Sequence, residues 1–334
     1  MTIAAAFGLT RERFVLPNER VALDRLERGL ERVETRLTDV LRFTDPVADS
    51  VTRYLKEAGG KRVRPMLLLL AAQLGDDESE AVIDAAAIVE ITHLASLYHD
   101  DVMDEADTRR GVPSAHNVWG NSVAILAGDL LFSRAATLTA PLGREVAEVQ
   151  ASTFERLCLG QLNETLGPRG ADPVEHYISV LADKTGSLIA AAAEIGVIVA
   201  GADERYRKPV REFGEAIGVA FQLVDDIIDL SANPETGKPA GTDVRAGVAT
   251  LPTLLLQHRD DQGSARLRER LNDIEAPGFE GAVADLEQHA VTARTREVAG
   301  EWQQRALDAL QDLPRGPVRR GLKEFARSVV DRTS

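Results

Sequence analysis

Two aspartate triplets, each at the end of an apolar run with helical periodicity, constrain this chain more than any other feature. The first closes AAAIVEITHLASLYHDDVMDEAD at Asp100, Asp101 and Asp104; the second closes FQLVDDIIDL at Asp225, Asp226 and Asp229. In both, the carboxylates stand at i, i+1 and i+4, so on a helix the first and third share a face and the second sits about 100° round from them. Like charges one turn apart destabilise a bare helix, so each cluster calls for a cation. Mg²⁺ is usually held by one or two carboxylates together with substrate phosphates. A solvated acidic helix end would account for one such cluster, but two in the same register, 125 positions apart, ask for a common task.

The remaining patterns supply helices to carry these clusters. Leu26, Leu30, Val33, Leu37, Val40 and Leu41 recur at helical spacing after Pro17-Asn18, with Asn18 the expected N-cap and Asp45-Pro46 the stop. Further helices are expected over Val47 to Ala58, Asn121 to Leu138, Arg144 to Thr165, after Asp172-Pro173, and from Arg211 into the second triplet. Alternating strand patterns are scarce, which predicts an all-α helical bundle with both acidic clusters facing its core. The stretch from about Arg259 is charged, helical in pattern and without evident chemistry.

A net charge of −14 argues against a nucleic-acid surface, so any phosphate binding has to come from local basic clusters. The single cysteine, Cys158, cannot form an intramolecular disulfide, and no Cys/His spacing resembles a zinc site. The N-terminus lacks the basic n-region of a secretory signal, and Leu188 to Ala202, taken as the longest apolar stretch, contains Glu194 and falls short of a membrane span. A soluble, cytoplasmic protein is expected.

One basic cluster is Gly59-Gly60-Lys61-Arg62-Val63-Arg64-Pro65, which runs directly into MLLLLAAQL. Glycines let backbone N–H groups approach an anion, Lys61 and Arg64 offer point-charge and forked contacts, and the following helix start favours negative charge. A basic turn before a core helix is the alternative. His93, Leu97, Asp100 and Asp104 fall on one helical stripe, with His93 about two turns, roughly 10 Å, below the carboxylates. His99 and His116 are read as structural. Lys184-Thr185-Gly186, inside an alanine-rich helical pattern, marks either a kink that frees a carbonyl towards a ligand or a joint between two helices. Two acidic triplets, each followed by a basic, glycine-bearing loop, describe a cavity that holds several divalent cations and a diphosphate leaving group, with a second anion site at Gly60 to Arg64.

GGKRVRP, LYHDDVMDEADTRRG, Gly160-Gln161, Lys184-Thr185, FQLVDDIID and GTDVR…TLP occur in one order across roughly residues 59–252. In this the chain resembles the trans-isoprenyl diphosphate synthases, the polyprenyl synthetase family, and in particular its long-chain actinobacterial-type members. The resemblance implies a single all-α domain of isoprenoid-synthase type around a deep pocket, a homodimer, and Mg²⁺ dependence with three ions per site. It implies that Asp100, Asp104, Asp225 and Asp229 are metal ligands, with Asp101, Asp226 and Asp243 close by. Arg109, Lys184 and Lys238 would contact the allylic diphosphate, and Gly60, Lys61, Arg64, His93 and Arg110 would bind isopentenyl diphosphate. Thr185 and Gln222 would direct oxygens at the developing allylic cation. Val248 departs from the pattern, since many relatives carry lysine there.

In this family the residues one turn before the first triplet act as a floor for the growing chain. Ala95 and Ser96 are small and leave it open, while Tyr98 should not point down that face, and Phe154 is the candidate for a deeper floor. A heptaprenyl to decaprenyl product for a quinone side chain follows, from a farnesyl or geranylgeranyl diphosphate primer and with delivery to a membrane. Rival readings are a geranylgeranyl diphosphate synthase, which shares every motif, and a non-catalytic partner subunit. A terpene cyclase would need neither the second triplet nor GGKRVRP.

Overall fold

A computed structural model describes residues 3–231 and 240–331. The helices are α1 (Pro17–Val40), α2 (Pro46–Glu57), α3 (Val63–Ala72), α4 (Glu80–Met103), α5 (Ala115–Trp119), α6 (Asn121–Thr139), α7 (Arg144–Leu166), α8 (Pro173–Leu181), α9 (Ser187–Val199) and α10 (Arg207–Asp229). They continue as α11 (Thr242–Arg245), α12 (Leu251–Gln257), α13 (Gln262–Leu271), α14 (Phe279–Glu287), α15 (Ala290–Ala309) and α16 (Pro317–Val330). Among the described residues the only strands are β1 (Thr108–Arg109) and β2 (Val112–Pro113), which form one short antiparallel hairpin. The fold is all-α, as the periodicity requires.

The chain divides into two compact units. The first comprises Met1–Phe154, Leu188–Gly214 and Leu310–Phe325, and α3 and α4 form its interior. Met66 to Ala72 of α3 are buried, as are Ala85 to Val89, Ile91, Leu94 and Ala95 of α4. A helix apolar on every side has no solvent face to offer, and each buried Leu or Ile contributes about 1.5–3 kcal/mol relative to exposure. Tyr98 is fully buried and turns towards α2, where its hydroxyl donates to the Val51 carbonyl and accepts the Leu55 N–H at 3.2 Å. The second unit comprises Glu155–Ser187, Glu215–Ala309 and Ala326–Ser334. Leu181, Val219, Leu223, Val224 and Leu251 form one core in it, and Leu230, Leu256, Phe279 and Val283 belong to another.

Several local expectations change. Leu16, not Asn18, caps α1: Pro17 takes the first helical position, where a missing N–H is harmless, and Glu19 reaches back to accept the Leu16 N–H at 3.1 Å. Asp45 does more than separate two helices, since its Oδ1 accepts the Val47 and Ala48 N–H groups at 2.9 Å each and so starts α2. Leu188–Ala202 is not the longest apolar run. By length and composition Glu80–Met103 and Asn121–Leu142 are both apolar enough to cross a membrane, although 72% of the first one's apolar window is buried within the protein.

Lys184-Thr185-Gly186 distorts one continuous helix and is not a joint between two separate ones. No break separates α8 from α9; Ala182–Gly186 forms a single π turn flanked by right-handed helical residues. Such a turn inserts one residue into the helix and rotates the side chains within it out of α register.

Candidate active site

The glycine pair of GGKRVRP is demanded by the backbone. Gly59 and Gly60 have φ of 96° and 144°, in the region that side-chain-bearing residues avoid. A Cβ on Gly60 would stand 2.5 Å from Arg62 Nη1 and 2.9 Å from Arg110 Nη2. Arg62, which the motif reading left without a role, caps α3 in a left-handed conformation and folds its guanidinium inward. It bonds Glu34, Glu90 Oε1 at 3.0 Å and the Gly59 carbonyl at 3.1 Å. That buried ion pair sets the shape of the loop.

The adjoining Arg109, Arg110 and Gly111 owe their placement to the β1–β2 hairpin. Arg109 pairs with Val112, so Arg110 and Gly111 are the two turn residues, and both have positive φ as a type I′ turn requires. Arg110 donates to the Leu55 carbonyl at 2.7 Å and to that of Gly59, at the C-terminal end of α2. Arg109 Nε donates to Asp101 Oδ1 at 2.6 Å.

Asp101 is therefore not equivalent to its two neighbours. Its side chain has no solvent exposure, its second oxygen is buried without a hydrogen-bond partner, and burial pushes its carboxyl up against the opposing pull of Arg109. Asp100 is half-buried and Asp104, which ends α4 with its N–H on the Asp100 carbonyl, is exposed. Two hard oxygen donors one turn apart, braced by a third carboxylate locked to Arg109, fit Mg²⁺ completed by substrate phosphate. Among the described residues no three His, Cys, Asp or Glu side chains cluster closely enough to hold a metal by themselves.

Positive charge accumulates at the start of α3. Burial is the main reason the Arg64 guanidinium is lowered to about 10, with Arg110 adding to the effect and Glu90 and Asp100 opposing it. Its Nε is buried with no hydrogen-bond partner. Burial, together with Arg64, Arg110, Arg109 and Arg62, holds the His93 imidazole well below its ordinary value, hence neutral. Arg64 as a whole is half-buried, but a buried Nε–H without a partner is costly, and a bound anion removes that cost. Lys61 is exposed at the loop.

In the second unit, Thr185 Oγ1 donates to Gln222 Oε1 at 3.2 Å, and the Lys184 ammonium pairs with Glu164. Asp226 is buried and accepts the Tyr177 hydroxyl at 2.7 Å and the Leu251 N–H at 3.2 Å, both through Oδ2. Burial raises its carboxyl to about 7 despite those two donors. The Leu251 bond gives Thr250-Leu251-Pro252 a physical role: the start of α12 anchors the second triplet. Asp229 accepts the Asp243 N–H at 2.9 Å on Oδ2 and the Gly241 N–H at 2.7 Å on its carbonyl, which ties Gly241-Thr242-Asp243 to the end of α10. Val248 is exposed, and Lys238 lies outside the described residues.

The match to known proteins is now decisive, since the polyprenyl synthetase family model covers residues 45–284. The chain belongs to that family. This polyprenyl synthetase is 43% identical to a nonaprenyl diphosphate synthase of Mycobacterium tuberculosis over 310 residues, 91% of this chain and 92% of the relative. Its structure superposes on a decaprenyl diphosphate synthase from Rhodobacter capsulatus with a TM-score of 0.85 at 33% identity, covering 95% and 99% of the two chains. On a geranylgeranyl pyrophosphate synthase from Corynebacterium glutamicum the TM-score is 0.84 at 40% identity, covering 96% and 99%. As a polyprenyl synthetase it is a prenyltransferase with the family's helical-bundle fold.

Within the first unit, Gly60, Arg64, His93, Arg109, Arg110 and Asp101 come together around the start of α3 and the end of α4. Within the second, Lys184, Thr185 and Gln222 converge at the π turn. Tyr177, Glu164 and Arg62 were missed. Their partners are long-range, and only the i, i+4 relation of Gly160 and Glu164 was visible along the chain.

Proposed function

We propose that this polyprenyl synthetase adds isopentenyl diphosphate repeatedly, head to tail (1′-4), to an allylic diphosphate primer, farnesyl or geranylgeranyl diphosphate, and stops at a heptaprenyl to decaprenyl product. The observation that carries the reading is the buried, partnerless Nε of Arg64 among Arg62, Arg109 and Arg110 in the same unit as the first acidic triplet. Arg64, Arg110, Lys61 and the Gly60 backbone bind the isopentenyl diphosphate, and neutral His93 adds a hydrogen bond without adding charge. Arg109, Lys184 and Lys238 bind the allylic diphosphate. Asp100, Asp104, Asp225 and Asp229 would hold Mg²⁺, three ions per site, and the metal would supply neutralising charge to the diphosphate leaving group.

In the reaction the allylic C–O bond breaks, the isopentenyl alkene attacks the resulting cation, and a proton is lost to the departing diphosphate. Thr185 and Gln222 oxygens stabilise the positive charge as it develops. The Thr185 hydroxyl donates to Gln222, so its lone pairs remain for the cation.

The long-chain product is supported by the small Ala95 and Ser96 and by the nonaprenyl and decaprenyl synthases among the relatives. Phe154, although exposed, packs at a tilt against Phe132 with ring centroids 4.3 Å apart, and the proposed deeper floor is this pair of rings. The Corynebacterium relative favours a second reading, a geranylgeranyl product, in which the floor lies above Phe154. A homodimer is supported by apolar surface: α6 exposes Ile125 and Leu126, and α7 exposes Leu159, Leu162 and Leu166 at helical spacing. We place the enzyme in the cytoplasm, with its product passed to a membrane.

Asp100→Ala or Asp225→Ala is expected to lower turnover by orders of magnitude while leaving the fold intact, because these carboxylates repel their neighbours until a metal arrives. Wild-type turnover in either variant would remove the metal-clamp model.

A further inference from the structure

The π turn Ala182–Gly186 carries Lys184 and Thr185, two residues of the proposed reaction, and π geometry is rare enough to need support from outside. One stripe of α7 supplies it. Arg156, Gly160 and Glu164 stand at i, i+4 and i+8, so they share a face over three successive turns. Each of the three meets the π turn. Arg156 Nε donates to Asp183 Oδ1 at 2.8 Å, its Nη2 reaches the Ala182 carbonyl at 3.5 Å, and its Nη1 donates to Glu215 Oε2 at 2.7 Å on α10. Gly160 is where the backbones meet, since a Cβ there would stand 2.9 Å from Asp183 Cβ and 3.0 Å from Lys184 Cγ. Glu164 pairs with the Lys184 ammonium.

We infer that Arg156 is a positioning residue for the prenyl transfer: by bridging Asp183 and Glu215 it fixes the π turn so that the Thr185 hydroxyl and Lys184 ammonium stay where the reaction needs them. The inference rests on the proposed roles of Thr185 and Lys184. Arg156 itself points at two carboxylates rather than at either of those side chains, so it acts through the backbone of the turn. A planar guanidinium spans two carboxylates in different directions, which a lysine ammonium on a flexible stem does not reproduce. Without it Asp183 and Glu215 would each lose a charged partner.

The test compares the full-length wild type with Arg156→Gln, Arg156→Lys, Thr185→Ala and the double variant Arg156→Gln/Thr185→Ala. Amide hydrogen exchange over residues 182–187 should be faster in Arg156→Gln, and kcat should fall by about 10- to 100-fold, the scale of a 1 Å misplacement. KM for isopentenyl diphosphate should not move, because the residues proposed to bind it are held by partners other than Arg156. Arg156→Lys should recover only part of kcat, and adding Arg156→Gln to Thr185→Ala should cost less than Arg156→Gln costs the wild type, because only the share carried by Lys184 remains to be lost. Additive losses in the double variant, or unchanged exchange at the turn, would overturn the inference. An active wild type with a fully active Arg156→Gln would overturn it too, while leaving the proposed function standing. A wild type that forms no prenyl product, with exchange at the turn still sensitive to Arg156, would instead sink the proposed function and take the catalytic role of the clamp with it.

Discussion

Replacing Gly60 with alanine tests whether the loop before α3 is shaped for an anion or is only a turn. At φ 144° an alanine pays backbone strain of about 1–3 kcal/mol. Its Cβ also falls about 0.9 Å short of ordinary contact with Arg62 Nη1 and about 0.5 Å short with the Arg110 guanidinium. Side-chain tips often move cheaply, but these two are pinned. Arg62 is held by Glu34, Glu90 and the Gly59 carbonyl, and Arg110 by the Leu55 and Gly59 carbonyls. Loosening one hydrogen bond to a charged group costs about 1.5–3 kcal/mol. The melting temperature should therefore fall by roughly a few degrees. If Arg110 shifts away from a bound diphosphate, losing about 1.4 kcal/mol there, KM for isopentenyl diphosphate rises about tenfold. KM for the allylic substrate should stay within a factor of about two, because its proposed ligands, Arg109 and Lys184, are held by Asp101 and Glu164 rather than by the loop. Steady-state kinetics with each substrate varied in turn, beside a thermal melt, reads both effects. A destabilised variant with an unchanged isopentenyl KM would refute the anion-loop reasoning, since the clash would then have been absorbed without moving Arg110.

Two further predictions concern the rest of the site. Ala95 is fully buried, so a phenylalanine there has to displace its neighbours; the proposed open floor predicts that Ala95→Phe shortens the product, and an unaltered product distribution would contradict it. Asp226, raised from 3.8 to about 7 mainly by burial, holds its proton more tightly folded than unfolded, so it lowers stability progressively as pH rises through that interval. Melts in chelator should show the wild type losing ground to Asp226→Asn between about pH 4 and pH 7, and parallel curves across that range would refute the assignment.

Much of this architecture was legible because it depends on periodicity. The all-α fold, the extent of α6, the start of α8 at Asp172-Pro173 and the distortion at Lys184-Thr185-Gly186 follow from local spacing and from residues with restricted backbones. The cap of α1 was misplaced because Asn18 is the better intrinsic cap, whereas Glu19 makes Leu16 the actual one by reaching back to its N–H. The triplets illustrate a different limit. Their i, i+1, i+4 spacing marks two carboxylates on one face, but it does not disclose that Asp101 is locked by Arg109 or that Asp226 is claimed by Tyr177 and Leu251. Those partners lie 8, 49 and 25 residues away, and the two farther ones are chosen by packing. Arg62 shows the same thing in reverse. Within GGKRVRP it has no evident role, yet burial beside Glu90 makes it the support on which Gly60 and Arg110 are arranged.

The proposed long-chain synthesis is tested most directly by incubating the purified protein with isopentenyl diphosphate, farnesyl diphosphate and Mg²⁺, then sizing the dephosphorylated products by mass spectrometry. A ladder of prenyl alcohols ending between heptaprenol and decaprenol is the predicted result. A single stop at geranylgeraniol would contradict the open floor at Ala95 and Ser96, and no elongation at all would contradict a self-sufficient synthase.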